Sequence, residues 1–170
     1  MKVRVKVAIR MTKVIAGAVG IGRADLAEKP PIGLKVINLE PSCFKRGDRV
    51  TCLSGIPVMA EWPINYCDEI VRLRDTGEYD AILISLEPEV IRTLLEREIY
   101  VILIYPDLSQ KAAYQQLYRR KYPEALAEVL GNGFTQWIGT ASEHRHRCCR
   151  HIVLTTGQQL KDVFLQVVNP

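Results

Sequence analysis

No stretch of this chain is apolar for the roughly 18–20 residues that a membrane-spanning helix requires. The opening segment, Met1-Lys-Val-Arg-Val-Lys-Val-Ala-Ile9, alternates charge and aliphatic and has no continuous apolar core. That pattern predicts an exposed strand and excludes a secretory leader. Aromatics are few, at 7%, and are not interleaved with basic residues, so support for stacking on nucleic acid is thin. A weaker nucleic-acid reading rests on the basic stretch Lys2–Lys6 and the basic run at 144–151. Five cysteines make an odd number with no regular spacing, which predicts free thiols and a reducing cytoplasmic setting. Internal repeats and low-complexity segments are absent. Charge of one sign is only mildly in excess: 23 basic against 19 acidic residues give +4. That balance suits a phosphorylated ligand without demanding a polyanionic partner.

What is present is enough for one domain over residues 1–170: an apolar content of 48% supplies a core. Strand and helix patterns alternate. Strands are predicted at Val14–Ala18, Gly33–Leu39, Ala81–Ser85, Tyr100–Tyr105 and Cys149–Leu154. Helices are predicted at Arg23–Lys29, Asn65–Thr76, Pro88–Glu98 and Gly157–Val167. A long helical region opens at Ser109 and runs to about Ile138, with breaks near Pro123 and Gly131-Asn132-Gly133. Residues 43–63 read as irregular and are long for a loop, a length that usually goes with function or mobility. Ala81–Ser85 and Tyr100–Tyr105 are apolar without interruption, as strands buried on both faces are. The expected fold is therefore α/β, a parallel sheet of five strands with helices on both faces.

The segment Gly17-Ala18-Val19-Gly20-Ile21-Gly22-Arg23-Ala24 joins the first strand to the first helix. Three glycines within six residues let the backbone turn sharply and present N–H groups to an anion. The spacing is that of the phosphate-binding pattern G-x-x-x-x-G-K-[ST], with two departures. Arg23 replaces the lysine, and Ala24 replaces the hydroxyl that holds Mg²⁺. An arginine is a larger planar fork and no simple substitute for a lysine. A parallel sheet binds ligands beyond the C-terminal ends of its strands. That rule gathers the loop with Glu40-Pro41-Ser42, Ser85-Leu86-Glu87 and Tyr105-Pro106-Asp107 into one crevice. Glu40, Ser85, Glu87 and Asp107 are the candidate substrate-side residues, and Mg²⁺, if bound, would come through water, the nucleotide, or Glu40 or Glu87.

In its ordered pieces the chain resembles the adenylate-kinase-like P-loop proteins, and more closely the small nucleoside-monophosphate-kinase-like proteins common in bacteriophages and prophages. The resemblance lies in Gly17–Lys29, Asn38–Ser42, Trp62–Tyr66, Tyr79–Ser85 with Glu89-Val90, Tyr105–Lys111, Phe134–Ile138 and Ile152–Gly157. It implies a three-layer P-loop fold, with an acceptor-side insert near 43–63 and a helical lid near 109–138. It also implies phosphoryl transfer from ATP to a nucleoside or deoxynucleoside monophosphate. Under it, Gly17 to Ala24 cradle phosphates, Arg23 contacts them, and Arg119 or Arg120 closes from the lid. A non-catalytic descendant that binds a nucleotide or a protein partner is the alternative, and the replaced lysine and hydroxyl motivate it. The serine at position 85 also departs from the pattern, which places an acid after that strand.

Other clusters have plainer readings. Arg119-Arg120-Lys121 is either a solvated helix face or the lid's phosphate-facing cluster, and two adjacent arginines on a helix cannot share one direction. Arg72 and Arg74 read as solvated surface, and Tyr114, Tyr118 and Tyr122 as a packing stripe. The run His144-Arg-His-Arg-Cys-Cys-Arg-His151 has no C-x-x-C and no distant second pair, so it reads as a basic loop and not as a zinc site. Oligomeric state is not encoded in any pattern found.

Overall fold

A computed structural model of the protein describes residues 11–47 and 58–169. The strand expected at the start and the middle of the 43–63 segment, residues 48–57, lie outside the described residues. Five strands, β1 (Lys13–Gly17), β2 (Val36–Asn38), β3 (Ala81–Ser85), β4 (Val101–Pro106) and β5 (Cys149–Leu154), form one sheet in the order β2-β3-β1-β4-β5. Every pairing is parallel. The three central strands are almost wholly buried, while β2 and β5 are half-exposed edges. That difference explains why the sequence marks β1, β3 and β4 by unbroken aliphatic runs.

The first crossover helix, α1 (Arg23–Glu28), runs against the edge strand β2 and touches the closing helix α7 (Leu160–Val168). The helices α3 (Ile64–Thr76), α4 (Pro88–Glu96) and α6 (Glu124–Glu143) pack on one another and on β1, β3 and β4. Connections leading from β1 to β2 and back run in opposite directions across the sheet, so right-handed crossovers put these two helix groups on opposite faces. Pro88 opens α4, and Val90, Ile91, Leu94 and Leu95 make its buried stripe. Burying each such side chain contributes roughly 1.5–3 kcal/mol. A capping box between Gln159 and Asp162 starts α7.

Several boundaries differ from the sequence reading. The segment 43–63 contains a short helix, α2 (Ser42–Arg46), ended by Gly47. Asp107, not Ser109, caps the turn Leu108–Gln110 that leads into α5 (Lys111–Lys121). Pro123 separates α5 from α6 as expected, but α6 runs unbroken through Gly131-Asn132-Gly133. Those glycines serve packing: a Cβ at 131 would stand 3.2 Å from Gln115 Cγ, and one at 133 would stand 2.5 Å from the Trp137 ring. The lid-like segment 109–138 thus divides. Helix α6 buries Leu130, Phe134 and Ile138 and belongs to the sheet's helical layer, while α5 lies over the loop between β1 and α1.

Candidate functional site

The sheet register sets the site. Gly17 at the end of β1 lies opposite Ser85 of β3 and Ile104 of β4. The next amide, Ala18 N–H, still donates to Ile104 O at 3.1 Å, and there the ladder stops. Gly20 and Gly22 then adopt φ values of +91° and +92°, in the left-handed region where only glycine is unstrained. Ile21, fully buried, anchors the turn from below, and its carbonyl accepts from Leu160 N–H at 2.9 Å. The amides of Val19 to Arg23 meet no acceptor among the described residues. Nor does a side chain cap the start of α1. A turn of successive unpaired N–H groups is an anion-binding concavity.

Helix α5 covers the tip of this turn. A Cβ on Gly20 would lie 3.1 Å from Leu117 Cδ2, 3.1 Å from Tyr118 Cε1 and 3.4 Å from Tyr114 Cε1. The Tyr118 hydroxyl donates to Val19 O at 2.9 Å. The tyrosine stripe is therefore packing, as its spacing predicts, and what it packs on is the loop.

Arg23 lies across the loop's first glycine. A Cβ on Gly17 would stand 3.0 Å from Arg23 Cδ and 2.7 Å from Ile21 Cδ1. The guanidinium reaches the end of β2, where Nη1 is 3.4 Å from Asn38 Oδ1. At that length the hydrogen bond is marginal, so it holds the side chain weakly. Asn38 in turn donates from Nδ2 to Glu40 Oε1 at 2.6 Å. Tyr66, fully buried on α3, donates its hydroxyl to Leu39 O at 2.5 Å. Burial holds its phenol well above the usual range, and the Arg23 charge opposes that.

Beside the loop, a cluster is built from α2, the segment before α3, and the start of α4. Lys45 Nζ pairs with Glu87 at 2.6 Å and sits 5.1 Å from the centre of the Trp62 ring. Trp62 stacks on Tyr66 with ring centres 5.5 Å apart, and its Nε1–H donates to Glu89 at 3.1 Å. Burial pushes the Glu87 carboxyl up, against the pull of Lys45. Sequence reasoning marked Trp62–Tyr66 only as part of the resemblance. A tryptophan just before a helix and a tyrosine four residues on, in its first turn, is the available signal for an aromatic wall.

Ser85 is brought to the site: it is 8% exposed, and its Oγ has no hydrogen-bond partner among the described residues. Glu40 and Glu87 also lie at strand ends near it. Asp107 does not offer a free carboxylate, because it accepts from Ser109 N–H at 2.8 Å, and Ser109's hydroxyl and amide hold it below its usual range. Arg119 and Arg120 point away from the loop. Arg119 lines a groove of about 580 Å³ between α5 and α6, with Gln115, Glu124, Glu128 and Asn132. Arg120 Nε reaches only its own helix, at Gln116 O. The face of α5 that rests on the loop is the one at 114, 117 and 118, and not the one that carries Arg119 and Arg120, which were expected to close over phosphates.

The basic run ends in a tied histidine. His151 Nε2 lies 2.8 Å from His144 O, so that nitrogen carries the proton and Nδ1 accepts from the Tyr105 hydroxyl at 2.9 Å. A proton on Nε2 leaves that nitrogen no lone pair for Cys149 Sγ, 3.5 Å away, and burial raises the Cys149 pKa. The pair is not an activated thiol.

The chemistry of the loop can be tested against the divalent cation that this type of site implies. Ala24 has no donor, Ser85 has a neutral hydroxyl, Glu87 is occupied by Lys45 and Glu40 by Asn38. Among the described residues no group of three His, Cys, Asp or Glu side chains could hold a metal ion. The residues do not fit Mg²⁺.

The sheet order, the all-parallel pairing and the glycine loop at the end of the central strand make this a three-layer α/β fold of the P-loop kinase-like kind. The structure of the Deinococcus radiodurans tunicamycin resistance protein shares it, with a TM-score of 0.56 over 92% of this chain and 93% of that chain. Identity between the two is 16%, so the likeness is one of fold. No family model and no curated protein matches the sequence. The finer resemblance to phage nucleoside monophosphate kinases rests on the sequence motifs alone. No helix among the described residues is long and apolar enough to cross a membrane.

Proposed function

We propose that the loop Gly17–Ala24 binds the phosphate chain of a nucleotide and that the protein is an ATP-dependent phosphotransferase of the nucleoside-monophosphate-kinase type. The observation that carries this reading is the unpaired amide run at the end of the central strand, beside the mobile-stemmed cation Arg23. In this reading Arg23 leaves its weak contact with Asn38 to meet phosphate oxygens, and the loop amides hold the rest of the charge. An acceptor lies between the loop and the half-buried rings of Phe44 and Trp62, which both pack on the buried Tyr66 ring, at centre distances of 5.3 and 5.5 Å. Nucleoside and deoxynucleoside monophosphates are the first acceptors to consider, and the neighbour's name adds tunicamycin to the set.

A second reading, a binder without turnover, is favoured by Ala24 and Ser85, which remove both groups that usually handle the metal. One experiment separates the two. ADP formation is followed with ATP and each acceptor, beside an Arg23→Ala variant, while ATP binding is titrated calorimetrically. Turnover on one acceptor, lost in the variant, supports the transferase. Binding without turnover on any acceptor selects the binder. No ATP binding at millimolar concentration rejects both.

A further inference from the structure

We infer that the loop takes its phosphate chain as a metal-free anion, with the Ser85 hydroxyl and the Arg23 guanidinium in place of a cation and its ligands. The inference rests on the phosphate-binding half of the reading above and not on transfer. Its independent support is Ser85. This residue stands opposite Gly17 in the sheet register, is 8% exposed, and its Oγ is unpaired among the described residues. A buried hydroxyl without a partner is rare and unfavourable, so a ligand oxygen next to Gly17 would relieve it. A carboxylate at this position would repel a bare phosphate and need a cation between them. A hydroxyl donates to the phosphate directly.

The charges facing the loop agree. Arg23 is the cation on its β2 side, and among the described residues no group of three acidic, histidine or cysteine side chains stands there to hold a divalent ion against that charge. Glu87 is neutralised by Lys45 at 2.6 Å, and Glu40 is turned to Asn38. Asp25 is exposed and lies on the Gly22 side with Gln159, away from Gly17 and Ser85. Binding Mg²⁺ to a triphosphate removes two negative charges from the ligand. A site made only of donors therefore gains nothing from the complex and loses attraction.

The test is calorimetric titration of the whole chain with inorganic tripolyphosphate and with ATP, in EDTA and in excess Mg²⁺. The expected Kd in EDTA equals or is tighter than that in Mg²⁺. Ser85→Ala, with its melting temperature checked, should weaken binding in EDTA by about tenfold, the effect of one hydrogen bond to a charged group. Binding at least about tenfold tighter in Mg²⁺ overturns the inference and leaves the proposed function standing. An unchanged Kd in a folded Ser85→Ala protein overturns it as well. No binding in either buffer overturns the proposed function itself.

Discussion

Replacing Gly20 by alanine tests whether α5 seals the loop Gly17–Ala24. Two costs arise. The residue sits at φ +91°, where a side chain is strained by roughly 1–2 kcal/mol. Its new Cβ would also stand 3.1 Å from Leu117 Cδ2 and from Tyr118 Cε1, and overpacking of that kind costs about 1–3 kcal/mol. Gly33 is the control. It has a φ of +81° and nothing within 4 Å of its Cβ position, so Gly33→Ala bears the backbone strain alone. The unfolded chain loses the same freedom in both variants, and that term cancels in the comparison. In a protein of this length each kcal/mol lowers Tm by roughly 2–4 °C. Gly33→Ala should therefore melt roughly 2–8 °C below wild type and Gly20→Ala roughly 4–20 °C below. Scanning calorimetry or circular dichroism melts measure both. Equal losses in the two variants would mean that α5 does not rest on Gly20, and the account of the loop's shape would fail with it.

Tyr118→Phe removes the donor to Val19 O and should cost about 1–2 kcal/mol, read as a Tm loss with the loop's phosphate affinity also reduced; an unchanged Tm would show that the contact is not formed. Glu87 has a carboxyl raised by burial, so its ionisation opposes folding: stability from this group is full below the unfolded carboxylate pKa near 4.3 and falls as pH rises through its higher folded value. Glu87→Gln should therefore equal or exceed wild type in Tm at pH 7, with the difference vanishing near pH 4, and a clear loss at pH 7 would show that the Lys45 pair outweighs burial. His144 is lowered, by burial first and then by His151 and Arg92, so its contribution is present above pH 6.5 and is lost as pH falls through its folded value. Wild type should lose more Tm between pH 7 and pH 5 than His144→Gln does, and parallel pH profiles would refute the assignment.

Much of this architecture was legible because the central strands are solvated on neither face. Ala81–Ser85 is buried at every position, and nothing but a run of aliphatics satisfies that. The β2 edge was read too long because Gly33 to Lys35 look like strand by composition. There the chain is instead fixed by a side chain: Lys35 N–H donates to Asp80 at 2.8 Å. Gly131 and Gly133 were read as breakers because glycine lowers helix propensity. Contact with Gln115 makes a small residue necessary at 131, and no local pattern contains that partner; at 133 the Trp137 ring, one turn further along the same helix, takes the space. The loop was spelled out in full, but what covers it was not. Choosing between Arg119 and the face at 114, 117 and 118 required the direction from which α5 approaches, and that is a tertiary fact.

The glycines of the loop separate its structural duties from what remains unexplained by packing. Gly17 is required by Ile21 and Arg23, and Gly20 by α5; both could belong to a tight connection and nothing more. Gly22 is different. Its nearest neighbours to a Cβ are Gln159 and Asp25, at 3.8 and 3.9 Å, which is ordinary contact. Packing leaves room for a side chain, yet the backbone turns left-handed at +92° and no side chain caps the helix that follows. That conformation leaves amides open at a strand end where Ser85, the residue across the sheet, also has a donor without a partner. Amides at the start of a helix lack intrahelical partners in any protein, and water can meet them. The buried Ser85 hydroxyl is the donor that a purely structural connection does not account for, and an anion at this strand end would satisfy it.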